Sequence, residues 1–90
     1  MSEKEKEMIK NMGALGYPVD LCIRVLDVKD EKQFRKDFAD AKSEVNILYS
    51  VGRDQAQYLI DLKLFEMAQS GDIKAMRELE IRKRKIAVAR

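Results

Sequence analysis

From Ser43 to Gln69 the chain contains no proline and a single glycine, and its apolar residues recur at helical spacing. Val45, Leu48, Tyr49, Gly52, Ala56, Leu59, Leu62 and Phe65 are three or four apart, once the adjacent Leu48 and Tyr49 are passed, which is nearly a heptad seam. Ile47, Ile60, Leu64 and Met67 lie off that stripe, so the helix is apolar on more than one side. Such a helix either sits centrally in a fold or joins a second subunit. Leu48, Leu59, Leu62 and Phe65 are the residues expected at an oligomer or partner interface.

The segments around it also read as helices. Ser2 is a good N-cap with Glu3 and Glu5 behind it, and Met8, Ile9, Met12 and Leu15 give the first helix an apolar side. Gly13 weakens that helix and Gly16 ends it; Pro18 then suits a turn or the opening of the next helix. A second helix over Val19 to Leu26 carries Cys22, Val25 and Leu26 at core spacing. Asp27-Val28-Lys29 makes the break. Asp30, with Gln33 three residues on, has the spacing of a capping box that opens a third helix running to about Asp40. Phe34 and Phe38, four apart, point together into the core. Gly71 ends the long helix and Asp72 caps the last one, so short a link that the two form an antiparallel hairpin. The expected fold is all-α, a small helical bundle in one domain. Residues 1–41 form helix-turn-helix-like helices, residues 42–86 the long central helix and carboxy-terminal hairpin, and 87–90 a frayed tail.

Composition narrows the chemistry. The chain has 90 residues, 38% of them charged, no histidine and one cysteine, Cys22, set among apolar residues as a small hydrophobe. Without histidine it lacks the commonest general base and transition-metal ligand, and one cysteine cannot build a zinc site. The acidic run around Asp27 to Glu31 lacks the glycine and the bidentate glutamate of a calcium loop, and Gly52 alone makes no phosphate loop. No enzyme, metal or cofactor is expected. There is no signal-peptide-like amino terminus and no membrane-spanning run, so a cytoplasmic location is expected.

The net charge of +2 is unevenly spread. Residues 1–40 hold 8 Lys/Arg against 9 Asp/Glu, residues 41–70 hold 3 against 4, and residues 71–90 hold 7 against 3. The excess of positive charge therefore lies in the last twenty residues. Locally, Lys32 lies about 160° and Lys36 about 200° around the third helix from Phe34, with Lys29 near the same line. On a helix-turn-helix reading, Val19 to Leu26 supports the third helix in a major groove. Lys29, Lys32 and Lys36 then face phosphates, Gln33 reaches a base edge, and the basic run Arg82, Lys83, Arg84 and Lys85 adds further contacts. Against this stand Asp27, where a tight helix-turn-helix has glycine, and Asp30, Glu31 and Asp37, which would meet a polyanion unfavourably. The alternative is two packed helices with a solvated lysine face, in a protein that docks other proteins through its long helix.

"LGYPVDLCIRVLDVKDEKQFRKDF", followed by "LYSVGRDQAQYLIDLKLFEMAQSGDIKAMREL", resembles phage terminase small subunits and related small prophage proteins. The pattern comprises the amino-terminal helix pair, then Tyr49-x-x-Gly52 in a long helix, then Ala68, Gly71, Asp72, Ala75 and Leu79; it covers about residues 8 to 84. The resemblance implies binding of double-stranded viral DNA at packaging initiation, oligomerisation through central helices and delivery of DNA to a large terminase subunit. The sequence ends soon after the hairpin, so a segment for contact with that large subunit is expected to be missing. A transcriptional regulator would share the same features.

Overall fold

The structure, a computed structural model, describes residues 1–89, and these form five helices with no strand among them. They are α1 (Glu3–Leu15), α2 (Val19–Leu26), α3 (Glu31–Ala39), α4 (Glu44–Gln69) and α5 (Ile73–Ala89). The chain divides into two compact units, Met1–Ala56 and Gln57–Arg90, and the division falls inside α4. The Asp40 to Ser43 turn, where the sequence suggested that two parts meet, lies within the first unit.

Local chemistry sets the helix ends. Ser2 and Glu5 close a reciprocal capping box at the start of α1, and Gly16, at φ 71°, takes the left-handed conformation that stops it. Asp27 adopts φ 54° and ψ 51° at the end of α2. It is thus a non-glycine residue in the conformation a helix-turn-helix glycine would supply, and aspartate is among the side chains that tolerate it. Asp30 caps α3 by accepting from the Gln33 N–H, but the Gln33 side chain does not return to Asp30, so half of the expected box forms.

The core of the first unit comprises Ile9, Met12, Cys22, Ile23, Phe34 and Val45. Burying a side chain the size of Ile9 or Phe34 contributes about 2 kcal/mol each. Phe38 meets the Tyr49 ring edge-on at 4.9 Å between centroids, and the Tyr49 hydroxyl donates to the Tyr17 carbonyl at 2.8 Å. Two expected core residues face outward instead: Leu15 and Val25 are exposed, because each lies about 110° around its helix from the middle of the buried set, Ile9, Met12 and Gly13 on α1 and Cys22 and Ile23 on α2. Gly13 and Gly52 are buried in helices, and their missing side chains let the α1 and α4 backbones touch.

In the second unit α4 and α5 form the expected hairpin. Gly71, at φ 97°, and the Asp72 carboxylate, which accepts from the Ala75 N–H at 3.0 Å, make the turn. α5 continues to Ala89, past the point where fraying was expected; Arg90 lies outside the described residues.

Candidate nucleic-acid interface

α3 is held from behind and open in front. Phe34 is buried, Phe38 is half-buried, and their rings lie 6.3 Å apart, which fixes the rotation of the helix about its axis. Helical geometry then sends Lys32 and Lys36 outward together. Both are exposed, and neither has a carboxylate within ion-pair distance among the described residues. Lys32, Gln33, Arg35 and Lys36 surround one shallow depression, with Asp30 at its edge.

Arg35 is the residue that sequence reasoning missed. It follows Lys32 by three positions, so helical spacing alone could have placed it on the same face. Its guanidinium donates to Asp20 on α2 at 2.6 Å, an exposed contact that ties the two helices at the surface. Gln33, expected to reach a base edge, donates its side-chain amide to Asp37 at 2.9 Å. That bond orients the group along the helix. Lys29 lies in the α2–α3 turn and lines a neighbouring groove, which shares Asp30 and Gln33 with the α3 depression that Lys29 itself does not line.

The basic run at the end of α5 is not one surface. Arg82 points into the hairpin, where its Nε donates to Asp61 Oδ1 at 2.9 Å and its Nη2 to Oδ2 at 3.3 Å. The pair explains why Arg82 is no free phosphate ligand: its donors are already committed to a carboxylate. The hydrogen bonds from Arg82 hold the Asp61 carboxyl below its ordinary pKa, against an opposing push from partial burial, and Gln57 adds a smaller contribution in the same direction as Arg82. Lys83 contacts Glu80 at 3.6 Å at the surface, while Arg84 and Lys85 are exposed and carry no ion pair among the described residues.

The residues expected at an interface also separate. Leu48 packs against the core of the first unit, so it belongs to that core. Leu59, Leu62 and Phe65 are exposed, at 65%, 37% and 47%. α4 turns Gln57, Asp61, Leu64 and Ala68 toward the hairpin instead, and those four are the half-buried ones. Tyr58, Ile60, Ile73, Met76 and Ile81 are exposed as well, and among the described residues of this unit only Ala75 is fully buried. So much apolar surface on so short a hairpin is far more than scattered exposure of single residues.

Cys22 is buried beside the Tyr17 carbonyl, and burial pushes its thiol pKa up, the direction opposite to an activated nucleophile. No helix among the described residues is long and apolar enough to cross a membrane. No protein-family model matches the chain, and neither a curated protein nor a solved structure matches it.

Proposed function

We propose that the chain is a non-enzymatic DNA-binding module that works as an oligomer. The observation that carries this reading is the pair Lys32 and Lys36, free of ion pairs among the described residues, at one depression on the outward face of α3 that Gln33, Asp30 and the Asp20-bound Arg35 also line. A helix pinned by Phe34 and Phe38 presents these cations in fixed register, as a duplex-reading helix must.

A single copy is a weak binder by charge alone. Residues 1–56 hold 10 Lys/Arg against 11 Asp/Glu, so one first unit releases few counterions from DNA. Several copies held together would place several lysine pairs on one duplex and multiply the effective affinity. The exposed Leu59, Leu62 and Phe65 supply the surface for that association.

The packaging role rests on the resemblance to phage terminase small subunits, and a large terminase subunit would then be the downstream partner. A transcriptional regulator would use the same face of α3, and a defined operator-length footprint on DNA would favour that role. The exposed hairpin also favours a second reading, a helical adaptor that docks another protein with its lysines merely solvated. Binding of a labelled duplex decides between DNA and adaptor. The proposal predicts association at about 50 mM salt that weakens steeply as salt rises; no binding with protein in the tens of micromolar would remove it.

A further inference from the structure

Beside the α2–α3 turn, the first unit carries an open groove of about 420 Å³. Its floor is apolar, including Val28 and Phe34, and four carboxylates, Glu5, Asp27, Asp30 and Asp37, stand around it against two cations, Lys29 and the Met1 ammonium. Three of those carboxylates use one oxygen for local bonds: Glu5 accepts from the Ser2 N–H, Asp30 from the Gln33 N–H, and Asp37 from the Gln33 side-chain amide. Each keeps a second oxygen for a cation. A nucleic-acid backbone is repelled by this rim, and a ligand that carries cations is attracted to it.

The complementary chemistry occurs in the same chain. The end of α5 sets the cations Lys83, Arg84 and Lys85 directly before Ile86 and Val88. Those two apolar side chains are 43% and 86% exposed. An apolar floor ringed by carboxylates and an apolar helix end flanked by cations match in both charge and character. We propose that the groove of one copy receives the Lys83 to Val88 segment of a second copy, with Ile86 or Val88 on the apolar floor and the lysines against the rim. The contact needs no DNA, so it stands or falls apart from the DNA-binding reading.

The test is zero-length carbodiimide coupling on an equal mixture of isotopically heavy and light full-length protein without DNA, since this reagent joins a lysine amine only to a carboxylate in contact with it. The proposal expects cross-linked heavy–light peptide pairs that join Lys83 or Lys85 to the Asp27–Asp37 region. These should fall several-fold in Ile86→Ser/Val88→Ser, which keeps both lysine amines and removes the apolar side chains proposed to dock, and also in Asp37→Lys with helical content by circular dichroism unchanged. Pairs confined to one isotope, heavy–light pairs that join these lysines only to carboxylates outside that region, or heavy–light yields unchanged in both variants would each overturn it; the Lys83–Glu80 link within one chain is expected either way. Should Asp37→Lys lose helical content, the tail double variant, which lies outside the first unit, decides the matter alone.

Discussion

Gly13 on α1 rests its bare Cα against the main chain of Tyr49 on α4: a Cβ there would collide with the Tyr49 carbonyl, 2.8 Å from its carbon. The relation is reciprocal, since a Cβ on Gly52 would lie 2.6 Å from the Lys10 carbonyl carbon. In an exposed helix, replacing glycine by alanine gains about 1 kcal/mol from propensity. Here the collision is with backbone on both sides, which cannot swing away as a side chain can. Gly13→Ala and Gly52→Ala should each destabilise the protein by about 1–3 kcal/mol, the usual range for overpacking. Urea denaturation reads this directly, and a midpoint unchanged or raised in both variants would contradict the close packing.

Much of this architecture was legible in the sequence, and the reason is local. Ser2, Gly16, Asp30, Gly71 and Asp72 mark helix ends through chemistry confined to a few neighbouring residues, so no tertiary knowledge was needed to place them. Gly13 read as a weakness because propensity describes a lone helix; its value lies in a helix far away in the chain. The stripe from Val45 to Phe65 was equally visible, yet periodicity reports an apolar face and not what covers it. That is why Leu48 fell to the core while Leu59 stayed exposed. Arg82 looked like part of a basic run because its partner, Asp61, is 21 positions away.

Arg82 and Asp61 give the second unit a pH dependence whose sign follows from the lowered Asp61 pKa. A carboxylate with a lower pKa in the folded chain takes up its proton first in the unfolded chain. Its stabilising contribution is therefore complete above the ordinary carboxylate range, declines below about pH 4 and vanishes beneath the folded-state value. Asp61→Asn should lower stability at neutral pH and flatten the acid limb. Circular dichroism at fixed urea across about pH 2–6 would show it, whereas parallel acid limbs for the two proteins would contradict the pairing.

Leu59 offers a clean test of association. At 65% exposed it makes little contact within its own chain, and a surface substitution of that kind ordinarily changes stability by no more than about 0.5 kcal/mol. If copies join through the hairpin, Leu59→Asp should reduce the mass seen by sedimentation equilibrium toward the 10.4 kDa of one chain while helical content by circular dichroism stays unchanged. A mass of one chain for the unaltered protein at high micromolar concentration would contradict the oligomer. Leu48→Asp should instead unfold the first unit, because its side chain packs on that core.

Whether the outward face of α3 holds duplex DNA comes down to Lys32 and Lys36, and Lys32→Glu/Lys36→Glu reverses both charges. Both side chains are exposed and free of ion pairs among the described residues, so the double variant should keep its helical content and thermal midpoint. Each lysine that neutralises a phosphate contributes about 0.9 to the slope of log affinity against log salt. The measurement is fluorescence anisotropy of a labelled duplex over a salt series, for the unaltered protein, for this variant, and for a control that reverses Lys4 and Lys63 with the same change in net charge. The α3 variant should lose binding by about tenfold or more and show a shallower salt slope, while the control stays much closer to the unaltered protein. Equal losses in the two variants, or no loss in either, would contradict a DNA-binding face on α3.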